Sequence, residues 1–427
     1  MTSARVSDMK IKISSLGCRL NQSEIQSVST SLQDMGHQIT QGDDADVFII
    51  NSCAVTLRSE AKTRRLIHHA ASRPGAKTIV TGCIAGPPAR NGNIYYLPND
   101  YKFMVPDLVA DWDLFDTLEP PPDSRFRFAP PLKSSTSRVN LKIQDGCDNY
   151  CSYCIVPLMR GDPQSKPAHQ VMDEFSRLVN AGYKEIILTG VMIGKYNSCG
   201  LDLAGLTERI LDIGGRFRVH LTSLTPIYVT PELIELLAQD KMVKHLHLSM
   251  QSGNNEILRK MNRPYTHEEY LSLVERIRRA VPDFNVTTDV IVGFPGETEE
   301  MFRDTLGLIR EAGFSHVHTF RYSPRPGTKA AGMEDSVAEK IKTDRSRRVI
   351  ELYTDQKRKY YERFIGRESV FLSERTRGGV TSGFNQYYAP IEIKEKLPRN
   401  TFFSVLTTLE PGRLVLTGRI VPTGVTR

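Results

Sequence analysis

The 427-residue chain has no apolar run long enough to cross a bilayer, which excludes a helical membrane protein. Met1 to Ile13 contains no apolar h-region and no small-residue cleavage site, so the expected location is the cytoplasm. Internal repeats and low-complexity tracts are also missing, which removes solenoids and fibrous arrays. Strong charge is absent too. A net charge of +7 is mild for this length and permits a nucleic-acid partner without requiring one. Cysteine is scarce and odd in number, at seven. Without a secretion signal this argues against a disulfide framework and leaves metal ligation or reactive thiols. What remains is ordinary globular material, 40% hydrophobic and 25% charged, enough for roughly two to four domains.

The first part of the chain alternates strand and helix patterns. Lys10 to Gly17, Val47 to Thr56 and Thr78 to Gly86 are Ile/Val-rich runs ending in Gly or polar residues, as buried strands do. Ser23 to Met35 and Arg58 to Ala71 carry apolar residues at helical spacing. This order predicts βαβ units and a mostly parallel sheet over residues 1–125. From Thr117 to Arg138 prolines and a Ser/Thr cluster dominate, the composition of an interdomain linker.

Residues 138–365 return to the β/α pattern. Strands are expected at Val139 to Gln144, Glu185 to Gly190, Phe217 to Leu224, His245 to Met250, Asn285 to Phe294 and His316 to Tyr322. Helices are expected at Val171 to Ala181, Glu232 to Gln239, His267 to Ala280 and Glu299 to Ala312. Six units are too few for a closed eight-fold barrel, so a partial barrel is expected. Ser336 to Phe364 forms a long charged helical pattern whose Val337, Ile341, Ile350, Tyr353 and Tyr360 could make one apolar stripe, suited to a brace between domains. Residues 366–427 hold short strands and turns and predict a small antiparallel barrel. Nine Lys/Arg against five Glu give this last module more than half of the net charge.

Cys147, Cys151 and Cys154 form C-x3-C-x2-C directly after the first barrel strand. Thiolates at this spacing can wrap one face of an iron–sulfur cubane and leave one iron without a protein ligand. A structural zinc site wants a fourth ligand that the neighbourhood lacks, and buried free cysteines fit poorly in so polar a loop. Cys18, Cys53 and Cys83 lie far apart in sequence, yet each sits at or near the carboxyl end of an expected strand of one parallel sheet. Ligands bind at that edge, so the three could converge on a second metal site; the alternative is that they fill the core. Cys199 has no partner pattern and reads as a free thiol.

Other features are weaker alone. Gly293 to Glu297 is a glycine-rich turn that could admit a ligand or be only a turn. His245, His247, His316 and His318 read as satisfied histidines rather than metal ligands. Gln251, Ser252, Gly253 and Arg263 could meet a polar cofactor at a strand end.

The cysteine loop after the first strand of a six-unit barrel resembles the radical S-adenosylmethionine (SAM) superfamily. Together with the N-terminal three-cysteine domain and the small basic C-terminal barrel, which resembles a TRAM domain, the chain resembles the methylthiotransferases over nearly its whole length. LGCRLNQSE, NSCAVTLRSEAKTRR, TGC, KIQDGCDNYCSYCIVP and EIILTGVMIGKY look most like the MtaB type, which acts on N6-threonylcarbamoyladenosine next to the tRNA anticodon. The MiaB type, acting on isopentenyladenosine, and the RimO type, acting on a ribosomal protein, match less well. A non-catalytic iron–sulfur protein that binds RNA or senses redox state is the alternative from another class.

The resemblance implies two [4Fe-4S] clusters and SAM. Cys147, Cys151 and Cys154 would hold the cluster that ligates and reduces SAM, and Cys18, Cys53 and Cys83 an auxiliary cluster that carries the transferred sulfur. Tyr153, Thr189, Gly190, Ser223, Gln251 and Gly293 fall where the superfamily contacts SAM. One SAM would supply the methyl group and a second the deoxyadenosyl radical that activates adenine C2–H. The implied partners are a tRNA anticodon stem-loop, a flavodoxin- or ferredoxin-like electron donor and a sulfur source, with no membrane. Lys166 stands where the family usually has arginine, which would alter a phosphate or carboxylate contact. The segment after Cys83 also departs from the usual pattern. In the C-terminal module Arg375, Arg377, Lys394, Lys396 and Arg399 interleave with Phe384, Tyr387 and Tyr388, a composition suited to gripping RNA.

Overall fold

The computed structural model describes residues 8–84, 86–119, 124–128, 130–132 and 137–421. The mixed α/β architecture has the three expected parts: a parallel sheet, a partial barrel and a small closed barrel.

The N-terminal sheet contains β1 (Lys10–Ser15), β2 (Gln38–Thr40), β3 (Val47–Ser52), β4 (Lys77–Gly82), β5 (Ala89–Asn91) and β6 (Ile94–Leu97) in the order β2-β1-β3-β4-β6-β5. All neighbours are parallel except β5 and β6. β3 is buried at every position, as a continuous apolar run in a parallel sheet should be. β2, β5 and β6 escape the sequence reading because three or four residues carry too little pattern to register. The departing segment after Cys83 becomes the β5–β6 hairpin; its Ala85 lies outside the described residues.

Helix α1 (Arg19–Asp34) starts four residues before the expected Ser23, and α2 (Leu57–Ala71) matches closely. The reason for the early start is physical. α1 buries Ile25, Val28 and Leu32 against its own sheet, and also Leu20 and the polar Asn21, Ser23, Glu24 and Ser27, which apolar periodicity assigns to solvent.

The central barrel has six parallel strands: β7 (Arg138–Lys142), then Glu185–Thr189, Arg218–Leu221, His245–His247, Asn285–Val292 and His316–Arg321. Two three-stranded arcs are joined by parallel bridges Val219–Met242 and Leu224–Leu248, leaving the first and sixth strands as free edges. The helices His267–Ala280 and Glu299–Ala312 occur where expected, whereas Leu203–Leu211 and the short Asn255–Lys260 do not stand out in the sequence. α1 packs on β7, with Ser23 Oγ donating to Asn140 O at 3.4 Å. Glu60 of α2 pairs with Arg325, beyond the sixth strand. The N-terminal unit therefore lies across the opening between the two free edges.

The expected linker is only partly visible: residues 120–123, 129 and 133–136 lie outside the described residues. Its described parts are packed. Leu118 and Phe128 join the N-terminal core, and Arg125 donates to Asp162 O at 2.9 Å.

The long helix Glu339–Glu362 braces two units as expected, through a face that keeps Tyr353 and Tyr360 of the expected stripe but leaves out Ile341 and Ile350. Ile341 and Ile350 are exposed, while Lys342, Arg345, Val349, Tyr360 and Tyr361 are buried. Periodicity misassigns this face because it counts cations as solvated. Here each buried cation has a partner: Arg345 pairs with Glu297, and Lys342 with Glu339 at 2.8 Å. Tyr360, Tyr361 and Phe364 pass into the core of the last barrel. That barrel closes through Glu368–Arg377, Val380–Phe384, Pro390–Ile393, Leu416–Ile420 and Phe402–Thr408. One pair, Pro390–Ile393 with Leu416–Ile420, is parallel, a correction to the wholly antiparallel expectation.

Candidate functional site

The loop bearing Cys147, Cys151 and Cys154 is held from several sides. Cys147 N donates to Gly161 O at 2.9 Å and Cys154 N to Cys151 O at 2.9 Å. Ser152 N and Oγ donate to Met261 O and Lys260 O, and Asn262 Nδ2 donates to Asn149 O and Tyr150 O at 3.1 Å. These last contacts hold Tyr150 at a φ of +45°, a strained conformation over-determined by its surroundings. Arg263, 9% exposed, donates from Nη1 to Cys151 Sγ at 3.1 Å, which fixes that sulfur from the barrel side. Burial raises the Cys147 thiol and pushes Cys154 up to about 12. Loading a metal group onto this loop therefore releases protons.

The second trio comes together at the carboxyl edge of β1, β3 and β4. Ser52 and Gly82 are paired in register, so the residues that follow, Cys53 and Cys83, emerge side by side. Cys83 N donates to Ser52 O at 3.3 Å, and the next amide, Ile84 N, to Ser52 Oγ at 2.9 Å. Gly17, at a φ of +98°, brings the chain before Cys18 so close that a Cβ there would stand 3.0 Å from Cys53 Sγ. Burial raises the Cys53 thiol, and the nearby Cys83 and Cys18 raise it further. Among the described residues no three Cys, His, Asp or Glu side chains are set to hold a single metal ion. A cubane asks for something else, one thiolate on each of three separate irons. Cys199 is exposed, at a φ of +52° in a turn.

A buried polar bridge links the trios, and sequence reasoning missed it. Asn21 Nδ2 donates to Leu16 O and Ser52 O, the backbone just ahead of Cys18 and Cys53. Its Oδ1 accepts from Arg160 Nη2 at 2.8 Å. Arg160 Nη1 reaches Asp145, directly before the first cluster loop, at 2.9 Å and Glu24 at 3.1 Å. Glu24 also accepts from Lys102 and Lys142, each at 2.6 Å. Burial opposes the Glu24 charge, but the pull of Arg160, Lys102 and Lys142 outweighs it and holds the carboxyl well below the usual range. The signal that could have revealed this bridge is the polar spacing Asn21, Glu24, Ser27 along one face of α1.

Two cavities adjoin the trios. The smaller, about 180 Å³, is lined by Cys154, Tyr153 and Gln251, with Val55 and Thr56 from the N-terminal unit. Gln251 is held at a φ of +70°. Tyr322 OH and Ser323 Oγ, also on this wall, are buried without a hydrogen-bond partner among the described residues, polar groups that a ligand can satisfy. The larger cavity, about 760 Å³, lies where all three units meet. Cys18 and Arg19 line it with Ser223 and the barrel histidines, and with Phe384 and Tyr388 of the last barrel. Asp289 and Phe320 line both cavities and form their shared wall.

Of the residues expected to contact SAM, Tyr153 and Gln251 border the small cavity and Ser223 the large one. Thr189, Gly190 and Gly293 border neither. A Cβ on Gly293 would meet Lys342 Cγ at 2.3 Å, and one on Gly190 would meet Gln144 O at 2.7 Å, so packing alone already requires glycine at both positions. Lys166 is 2% exposed and pairs with Glu174 inside the structure, so its charge is spent internally.

The histidines are hydrogen-bonded rather than isolated. Glu185 meets His220 at 3.3 Å, His220 meets His245 at 2.9 Å, and His245 meets Thr287 at 2.9 Å. His247 then joins Thr287 at 3.1 Å and Asp289 at 3.1 Å. Burial lowers His220 and His316 to about 4 and takes His245 well below its ordinary range, so these three rings are neutral near pH 7. Tyr388 is enclosed, with Phe384 stacked on it at 4.5 Å and His245 at 4.8 Å. Tyr387 packs on Phe364. A groove of about 680 Å³ beside the large cavity gathers Arg19, Arg138, Arg375 and Arg399. Arg377, Lys394 and Lys396 do not line it; Lys394 pairs with Glu410.

The comparisons agree with this geometry. Residues 141–309 match the radical SAM superfamily, and residues 10–91 match the uncharacterized protein family UPF0004. The chain is 37% identical over 403 residues to the threonylcarbamoyladenosine tRNA methylthiotransferase MtaB of Thermotoga maritima, covering 90% of this chain and 91% of the relative. It is 33% identical over 448 residues to the tRNA-2-methylthio-N(6)-dimethylallyladenosine synthase of Pelotomaculum thermopropionicum, covering 98% and 95%. Among solved structures, the radical SAM methyltransferase TsrM from Kitasatospora setae shares the fold at a TM-score of 0.52 and 15% identity, over 73% of this chain and 72% of that one. With the MtaB likeness spanning nine-tenths of both sequences, the chain belongs to the radical SAM methylthiotransferase family, enzymes that use SAM and two [4Fe-4S] clusters.

Proposed function

We propose that this enzyme converts N6-threonylcarbamoyladenosine next to the tRNA anticodon to its 2-methylthio derivative, in the cytoplasm, with a flavodoxin- or ferredoxin-like electron donor and a separate sulfur source. The work divides among residues 1–125, which hold the auxiliary cluster through Cys18, Cys53 and Cys83, residues 138–365, which hold the SAM cluster through Cys147, Cys151 and Cys154, and residues 366–427, which contact RNA. The observation that carries the reading is the shared wall: the cavity at Cys154 and the cavity at Cys18 abut through Asp289 and Phe320.

The donor sets fit their groups. Each trio offers three neighbouring cysteines, and the small cavity presents unsatisfied hydroxyls beside Cys154. With both clusters bound, the chemistry supplied is reductive SAM cleavage on one side and sulfur delivery on the other. The chain's own residues do the rest. Tyr153, Gln251, Tyr322 and Ser323 orient SAM. Arg263 holds the Cys151 sulfur, and the bridge through Asn21 and Arg160 fixes one trio against the other. The large cavity has room for a nucleoside with its substituent. Arg375 and Arg399, on the last barrel's side of the groove, are placed to take phosphates beside its mouth.

The test is mass spectrometry of tRNA nucleosides from a host lacking the activity, with and without this chain expressed. 2-Methylthio-threonylcarbamoyladenosine is expected. Appearance of only the isopentenyl derivative would move the substrate to the second reading, which the Pelotomaculum relative supports.

A further inference from the structure

The larger cavity has a surplus of cationic side chains. Arg19, on the first turn of α1, and Lys357, on the bracing helix, both line it, and the one acidic residue on its wall is Asp289. Asp289 is already engaged by His247 at 3.1 Å. Among the described residues neither Arg19 nor Lys357 forms an ion pair; Arg19 reaches only Tyr388 OH, at 3.4 Å. The fully buried cations Lys102, Lys142, Arg160, Lys166, Arg218 and Arg345 each have a carboxylate, whereas Arg19 and Lys357, half-buried at the cavity, have none among the described residues.

The two charges act on common ground. Both line the same cavity as His318, whose protonation burial disfavours first and the two cations disfavour further. His316 and His245, on the same wall, are neutral and leave the cationic excess undiluted. Burial holds the Lys357 ammonium below the usual lysine range, a cost that a carboxylate partner removes. The lining thus matches a polar, anionic ligand and mismatches an apolar one, which would bury two cations without a partner.

We propose that Arg19 and Lys357 form a carboxylate clamp that binds the threonine carboxylate on N6 of the substrate adenosine and selects it over a neutral N6 substituent. The clamp rests on the substrate reading above and adds the residues that carry its selectivity. Arg19 suits the task sterically as well: it follows Cys18 in the chain, so a substituent held there keeps the adenine close to the auxiliary trio. Lys357 approaches from the bracing helix, so the clamp closes between two of the three units.

The experiment compares the reconstituted holoenzyme on anticodon stem-loops carrying threonylcarbamoyladenosine or its methyl ester, which is identical but uncharged. A buried charge pair deprived of one partner loses affinity by about 30-fold or more, so wild type should prefer the acid by that factor in kcat/KM. Lys357→Met and Arg19→Gln should bring the ratio toward one by losing activity on the acid. Lys357→Arg and Arg19→Lys, which keep the charge, should retain a clear preference. Equal use of acid and ester by wild type overturns the clamp. So does an equal loss on both substrates in the neutral variants, which would assign these cations to an RNA phosphate or to folding. Loss of RNA-free deoxyadenosine formation in the neutral variants would assign them to SAM and overturn it too. Wild type that modifies only an isopentenyladenosine stem-loop would defeat the substrate reading itself, a result distinct from a flat ratio of acid to ester.

Discussion

Gly146 stands one residue ahead of Cys147 at a φ of +75°, and a Cβ there would lie 2.0 Å from Asp162 O. Gly146→Ala must therefore move backbone that Cys147 uses, at a cost of roughly 2 kcal/mol or more. The expected result is a lower urea midpoint together with loss of one cluster's iron and absorbance, and iron content per chain checks it. The two trios separate at the same scale. Cys151→Ala should abolish deoxyadenosine formation, whereas Cys53→Ala should stop sulfur insertion and leave uncoupled SAM cleavage intact; identical behaviour of the two variants would refute the two-site model. The cysteines were legible because C-x3-C-x2-C is a local spacing and the other three end strands of one sheet. Arg160, Asn21, Tyr322 and Ser323 were not, because their partners stand far away in sequence and nothing local marks them.

Among elements, legibility followed the cleanness of the pattern. His267–Ala280 and Glu299–Ala312 have apolar stripes on one face and strong ends, a capping box at Thr266 and a left-handed Gly313, and the sequence places both to the residue. α1 and the bracing helix were misjudged at the faces where they bury polar or cationic side chains, since the energy there comes from ion pairs. For α1 this has a pH consequence. The Glu24 carboxyl is depressed in the folded protein, so its stabilisation is complete above the unfolded value of about 4.5 and fades as pH falls below it toward the folded value. Denaturant midpoints measured from pH 7 down to pH 3 should fall with acidity. Glu24→Gln should flatten that dependence while lowering stability at pH 7 by about 3–5 kcal/mol. For the bracing helix, Phe364→Ala should cost about 3–5 kcal/mol in the last barrel and expose it to proteolysis before the rest of the chain.

At the scale of the whole molecule the three units share one cavity and one basic groove, so RNA binding should depend on salt. Affinity for the stem-loop should fall linearly in log–log form, and Arg375→Ala or Arg399→Ala should each reduce the slope by about 0.7–0.9 for each phosphate contact removed. Filter binding across a salt series checks this, and an unchanged slope would place the RNA elsewhere. The sequence reads as three kinds of fold in succession but carries nothing that orients them. Contacts such as Glu60 with Arg325 and Arg138 with Glu374 join residues more than two hundred positions apart.

The Asn21–Glu24–Arg160 bridge also sets a timetable. Glu24 leaves the ribosome long before Arg160 does, an interval on the order of ten seconds at ordinary synthesis rates. During that wait the docking face of α1 stands in water, with its partner domain still unmade. A greasy face of the same extent would be an invitation to clump. Asn21, Ser23, Glu24 and Ser27 are instead side chains that water can satisfy, so the nascent sheet keeps its soluble surface until the first turn of the barrel arrives to claim it.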